Sequence, residues 1–291
     1  MTVVVHRFVS VDGHELFYRE AGRPDRPTVL LLHEFPSSSI QFRHMLRELS
    51  DDWHLVAPDL PGFGYTRLDR NTRTPFSFDG LAGTIDGFIQ TLRLDVSAVY
   101  LHDYGAQAGF RLLTRGALAP RAVIIQNAEA FARIGWLEPM RGIERRTSEP
   151  HDQARARLKR ELLNEAGIYR EFVEDLPPEL AERIDPAIVE LGWRKMEDPY
   201  ILDAMLDLHM DYGSNIAHYP RMQAYLRETM TPVLVLWGIR DQYLSADAAR
   251  AYQHERPTIE LQLFDGGHWL LETHPSEVNA AARAFLSRAS R

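Results

Sequence analysis

Short apolar runs alternate with stretches of helical spacing along the first part of the chain. Residues 3–9 and 15–20 flank Asp12-Gly13, a dipeptide suited to the positive φ angles of a two-residue hairpin turn. Residues 28–32, 55–57, 98–101 and 122–125 are continuous apolar runs, the pattern of strands covered on both faces. Helical periodicity falls between them, at 40–49, 81–92 and 106–113. This β-α-β-α order predicts an α/β protein with a mostly parallel sheet and right-handed crossovers.

The pattern changes at about residue 131. Buried-strand runs vanish until about 225, and charged, helix-favouring sequence replaces them, punctuated by Pro177-Pro178, Pro186, Pro199 and Pro220. Strand character returns at 233–237 and 259–264, with helices at 246–254 and 276–286. The expected organisation is one α/β core, residues 1–130 and 226–291, interrupted by a helical cap over 131–225. In open parallel sheets the ligand crevice lies beyond the carboxyl ends of the strands. A cap there would exclude water and shape a pocket.

Composition narrows the chemistry. The 291 residues include no cysteine, which excludes a thiol nucleophile, an iron–sulfur cluster and a cysteine-based zinc site. A net charge of -8 argues against general binding to nucleic acid or to an anionic membrane. No apolar run is long enough for a transmembrane helix, and the start lacks signal-peptide character, so a cytoplasmic location is expected. The 12 histidines show no metal-ligand spacing, and no phosphate-binding glycine motif occurs, so neither a metal nor another cofactor is expected. The basic run at 155–160 stands in a stretch with Arg and Glu throughout, from 141 to 174, and reads as a solvated helix face.

Polar residues stand at four predicted strand ends: His33-Glu34-Phe35-Pro36, His102-Asp103-Tyr104-Gly105, Trp237-Gly238-Ile239-Arg240-Asp241 and Gly266-Gly267-His268. In the second, small residues at 105, 106, 108 and 109 let a helix begin directly behind a sharp turn. That is the spacing of a nucleophile elbow with Asp103 at its tip, followed in chain order by an acid, Asp241, and a base, His268. Asp265 is a nearby rival for the acid. Asn127, at the end of the strand before the cap, is a candidate polar contact in the crevice.

These motifs resemble the epoxide hydrolase and haloalkane dehalogenase branch of the α/β-hydrolases. His33 to Pro36 is similar to that branch's H-G-x-P turn, and Asp59-Leu60-Pro61-Gly62-Phe63-Gly64 to its D-x-P-G-x-G loop. The resemblance implies an Asp103 nucleophile, His268 as base, Asp241 as its partner, and the backbone N–H groups of Phe35 and Tyr104 as oxyanion donors. It also implies ring-opening cap tyrosines. Tyr212 is the first candidate, from Asp211-Tyr212-Gly213-Ser214-Asn215; Tyr169 is the second, with Tyr200 and Tyr219 behind it. Glu34, His33, Asn127, Trp136 and Trp193 are candidate substrate contacts. The expected partner is a small apolar molecule, and a homodimer is compatible with such folds.

Haloalkane dehalogenases usually carry tryptophan straight after the nucleophile, where this chain has Tyr104. Fluoroacetate dehalogenases carry arginine there and one turn later, where this chain has Tyr104 and Gln107, which disfavours a carboxylate-bearing substrate. The expected activity is therefore epoxide hydrolysis. Carbon–halogen cleavage and a binding or non-hydrolytic scaffold remain as alternatives. Glu34 departs from the pattern, because it replaces a glycine where backbone freedom is expected to matter; strain at Glu34, or a different turn, is the expectation.

Overall fold

The computed structural model describes residues 3–70, 76–146, 148–174 and 176–289. Its centre is an eight-stranded sheet ordered β1-β2-β4-β3-β5-β6-β7-β8. The strands are β1 (Val5–Val11), β2 (His14–Ala21), β3 (Thr28–Leu32), β4 (His54–Pro58), β5 (Val96–His102), β6 (Ala122–Gln126), β7 (Val233–Gly238) and β8 (Glu260–Phe264). β1 and β2 form an antiparallel hairpin, β2 is antiparallel to β4, and the pairings from β4 through β8 are parallel. The hairpin turns at Asp12 and Gly13, both with positive φ, as their chemistry predicts.

The core helices are α1 (Arg43–Glu48), α2 (Phe78–Leu92) and α3 (Tyr104–Thr114); after the insertion come α11 (Ala246–Glu255), α12 (Leu270–Thr273) and α13 (Pro275–Ala289). Strand alternation sends side chains to two cores. Leu30, Leu32, Val99, Leu101, Val123, Ile125, Val235 and Trp237 join one cluster. Val29, Leu31, Ala98, Tyr100, Ala122, Ile124, Leu234 and Leu236 join the other. Each fully buried aliphatic side chain contributes ~1.5–3 kcal/mol from removal of apolar surface, so the central strands are held from both sides.

Among the described residues every helix and strand between β6 and β7 is a helix: α4 (Glu138–Arg146), α5 (His151–Glu161), α6 (Glu165–Val173), α7 (Pro178–Ala181), α8 (Pro186–Met196), α9 (Pro199–Met210) and α10 (Tyr212–Glu228). Three of them start with proline at the first turn, where the missing N–H costs nothing. Pro220 behaves differently. It lies inside α10, which continues through it to Glu228 although proline removes one helix hydrogen bond. The Arg155–Arg160 run also departs from a purely solvated face. Arg155 pairs with Asp203 and Asp207 of α9, and Arg157 pairs with Glu149 at 2.8 Å. No helix among the described residues is long and apolar enough to cross a membrane.

Candidate active site

β5 and α3 meet without a linker, and Asp103 occupies the junction at φ 30°, ψ -98°. A non-glycine residue in that region stores ~1–3 kcal/mol of strain and persists only where the surroundings enforce it. Gly105 shows what enforces it. A Cβ there would lie 2.4 Å from the Leu32 carbonyl oxygen and 2.7 Å from that of His33, so the helix packs against β3 only with glycine at this position. The result lifts the Asp103 carboxylate out of the β5 end and toward His268.

His268 Nδ1 is 2.7 Å from Asp241 Oδ2, and its Nε2 is 3.5 Å from Asp103 Oδ2. Burial opposes the imidazolium, but Asp241, with Glu34 and Glu171 further off, outweighs it and raises the His268 pKa to about 9. Asp103 moves in the raised direction, first through burial and then through repulsion from Glu34, Glu129 and Asp241. Asp241 is fixed on its other side. Its Oδ1 accepts the N–H groups of Tyr243 and Leu244, and its Oδ2 accepts Asn127 Nδ2 at 2.7 Å. Asn127 has φ 36° and also receives the Gly238 N–H on its Oδ1 at 2.9 Å. It is fully buried behind the site and does not line the cavity, so it positions Asp241 instead of meeting substrate. The rival Asp265 is paired with Arg240 at 2.6 Å on the surface.

The turn after β3 departs from expectation in an informative way. Glu34 does not have positive φ, so its backbone carries no left-handed strain. Its side chain is the unusual part. Glu34 Oε2 accepts the Tyr104 N–H at 2.5 Å, and the Phe35 N–H also favours its ionised form. The two donors expected to hold an oxyanion therefore hold Glu34. Asp103 Oδ1, beside them, is buried without a hydrogen-bond partner. Burial pushes Glu34 well above the ordinary carboxylate range, against the opposing pull of His268. His33 is behind the turn: Nδ1 contacts the Glu34 carbonyl at 3.0 Å and Nε2 accepts the Leu60 N–H at 2.9 Å. Burial lowers its pKa to about 4 and keeps it neutral for that acceptor role.

A cavity of about 490 Å³ opens above Asp103. Its floor includes Glu34, Phe35, Asp103 and Tyr104; its roof includes Met140, Ile143, Arg146, Leu158, His209 and Tyr212 from the insertion. Tyr212 lines this cavity, buried against Tyr104 and Phe78. Tyr169 does not. It is 55% exposed and lines a separate surface cavity, as Trp193 does. Its helix, α6, turns Glu171 inward instead, two positions away. Tyr200 packs on Phe76 and beneath Arg70, Tyr219 donates to the buried Glu129 at 2.7 Å, and Trp136 is buried outside the cavity lining.

Sequence reasoning missed Tyr243, Glu171 and Arg146, which all line the cavity. Tyr243 donates to Glu171 at 2.6 Å, and burial raises Glu171 to about 7 despite that hydrogen bond. Only the spacing of Tyr243, two residues past Asp241, hinted at its place. Glu34, Asp103 and His268 each offer a ligand atom within 4.8 Å of the others, among the described residues the one such grouping. All three belong to the arrangement just described.

The profile of the Alpha/beta hydrolase family matches residues 29–281. The chain belongs to the alpha/beta hydrolase family. Within this hydrolase family it is similar to the uncharacterized hydrolase YNR064C of Saccharomyces cerevisiae, 34% identical over 99% of this chain and 98% of that protein. It is also similar to epoxide hydrolase 1 of Caenorhabditis elegans, 23% identical over 97% of this chain and 70% of the relative. Among solved structures, the epoxide hydrolase CorEH superposes with a TM-score of 0.76 at 19% identity, covering 98% of this chain and 99% of the other. Haloalkane dehalogenase DbeA from Bradyrhizobium elkani superposes at 0.74 and 22%, covering 99% of each chain. Likeness at this identity is one of fold. The sheet, its flanking helices and the elbow at the end of β5 are thus those of an alpha/beta hydrolase.

Proposed function

We propose that this hydrolase opens epoxides to vicinal diols through an ester on Asp103, acting on a small molecule with an apolar body. The observation that carries this reading is the shared cavity of Asp103, backed by His268 and Asp241, and the buried phenol of Tyr212. A carboxylate is suited to displacement at the sp3 carbon of a strained ring. In the first step an Asp103 oxygen bonds to a ring carbon, the ring C–O bond breaks, and the leaving oxygen takes the Tyr212 phenolic proton. Among the described residues no hydrogen bond engages the Tyr212 hydroxyl, whereas Tyr243 already donates to Glu171.

In the second step the neutral form of His268, increasingly populated as pH rises toward its pKa of about 9, takes a proton from water, and the hydroxide adds to the ester carbonyl of Asp103. Asp241 orients the ring and stabilises the imidazolium. The oxyanion forms on the former Asp103 carboxylate, beside the N–H groups of Tyr104 and Phe35. Its collapse restores the carboxylate and releases the diol, with the proton from His268 returned to the Tyr212 phenolate through solvent. One donor to such an oxyanion is worth about 3–4 kcal/mol, so Glu34 has to yield the Tyr104 N–H for this step. The same Glu34 contact favours a second reading, a scaffold that binds without hydrolysing; turnover of any epoxide by the unmodified protein rejects it.

The deciding experiment is intact-mass spectrometry of His268→Gln with matched epoxide and haloalkane panels. An adduct of full epoxide mass on Asp103 is the expected result. An adduct equal to haloalkane minus hydrogen halide would transfer the assignment to dehalogenation. No adduct on Asp103 from either panel, together with no turnover by the unmodified protein, would sink the covalent reading.

A further inference from the structure

The cavity roof carries a cation without a counter-ion. Arg145 and Arg146 end α4, where positive charge is favoured by the helix carbonyls. Arg145 turns to Glu138 at 2.6 Å, and Arg157, the neighbouring cation on the cavity wall, is held by Glu149 at 2.8 Å. Arg146 lines the same cavity, and no hydrogen bond or ion pair engages its guanidinium among the described residues. The phenols of Tyr104 and Tyr243 lie within its electrostatic reach, both held neutral by burial, and Arg157 and Glu149 lie there too, already paired with each other.

A guanidinium stays protonated in such a setting, and leaving it half-buried against Met140, Ile143 and Leu158 without a partner is costly. Its planar fork matches a carboxylate in two parallel hydrogen bonds. The floor meanwhile presents the carboxyl groups of Glu34 and Asp103, and α6 adds that of Glu171; none of the three supplies a positive charge to an anionic group. An anionic group entering this cavity is therefore driven to the Arg146 end, which leaves the opposite end of the molecule over Asp103.

We infer that the substrate carries a carboxylate, which Arg146 receives while the epoxide end lies over Asp103. This rests on the epoxide-opening reading and deepens it. It also revises the expectation from Tyr104 and Gln107 that a carboxylate substrate is disfavoured: the arginine that would accept it comes from the insertion and not from the elbow helix.

The test compares ω-epoxyheptanoate with its primary amide, using kcat/KM on the unmodified protein, Arg146→Gln and Arg146→Lys. The expected acid-to-amide ratio in the unmodified protein is at least about tenfold, as for a charge-assisted hydrogen-bond pair. Arg146→Gln brings the ratio close to one, mainly through KM, and Arg146→Lys restores part of it. A ratio near one in the unmodified protein, or the same ratio in Arg146→Gln, overturns the inference. If neither epoxide is turned over, the epoxide-opening reading has failed. Calorimetric binding of heptanoate against heptanamide then judges the Arg146 site separately. Tighter heptanoate binding that Arg146→Gln abolishes supports it, and equal binding overturns it.

Discussion

The floor and the roof of the cavity are built on opposite terms. On the floor, Asp241 accepts from His268, Asn127, Tyr243 and Leu244. The partners lie on the segments that follow β6, β7 and β8, beyond the carboxyl ends of those strands. The roof consists of helix faces from the insertion, where Tyr212 and Arg146 present groups with no partner among the described residues. Apart from Asp103 Oδ1, the floor groups around Asp241 and Glu34 are partnered within the floor itself. The roof is incomplete until something fills it. That difference suits the division of labour proposed above, in which the strand-end segments carry the bond-making groups and the helices select what reaches them.

The largest effect that would break this contrast is loss of the floor. Asp103→Asn should abolish ester formation and reduce turnover to background, with no adduct by mass spectrometry. Residual turnover above one per cent or so of the unmodified rate would show that another group carries the bond-making. Tyr212→Phe, a roof change, should lower the rate of adduct formation by about 100-fold, within the ~10²–10⁴ range for general acid catalysis, and leave breakdown of a preformed ester nearly untouched. Equal losses in both steps would mean that the roof is not confined to ring opening.

Asn127→Ala tests how far the floor depends on its backing. It removes a hydrogen bond to a buried carboxylate, a loss of about 1.5–3 kcal/mol, and should slow ester breakdown while moving its pH profile. A purely structural role would lower thermal stability and leave the profile in place. Glu34→Gly tests the one contact on the floor that opposes the proposed chemistry. Freeing the Tyr104 N–H should speed breakdown of the ester several-fold, measured by single-turnover mixing.

Titration separates the two regions by pH. The folded pKa of His268 is about 9, above its ordinary 6.5. Its imidazolium therefore contributes stability that is fully present below pH 6.5 and is lost as pH rises through about 9, by up to ~3 kcal/mol. For Glu171, raised from 4.5 to about 7, the contribution is present below pH 4.5 and is lost as pH rises through about 7. Melting temperature should thus fall in two windows, with His268→Gln flattening the upper and Glu171→Gln the lower. The smallest expected change is Arg155→Ala. It removes ion pairs to Asp203 and Asp207, both largely exposed, and should cost no more than about 1 kcal/mol.

Strands 28–32, 55–57, 98–101 and 122–125 were legible because two-sided burial demands continuous apolar runs. The helical stretch between β6 and β7 was legible because those runs stop. Asp103, Asp241 and His268 were legible for a related reason: charged residues at the ends of apolar strands break the local rule, and such breaks mark functional sites. Tyr212 was legible from its local segment. The insertion obscured the rest. On an amphipathic helix, residues two apart face different ways, so the choice between Tyr169 and Glu171 depended on how α6 packs. Arg146 and Arg157 looked like members of a charged surface until α4 and α5 closed over Asp103.

The chain alone therefore determined the sheet, the interruption and the polar residues at the strand ends, because local patterning and sharp turns encode them within a few residues. Tertiary structure decided that Asn127 serves Asp241, that Glu34 holds the Tyr104 N–H, and which helix faces meet in the cavity. Those outcomes depend on side chains distant in sequence coming within hydrogen-bond range, a condition set by packing and invisible to any local window.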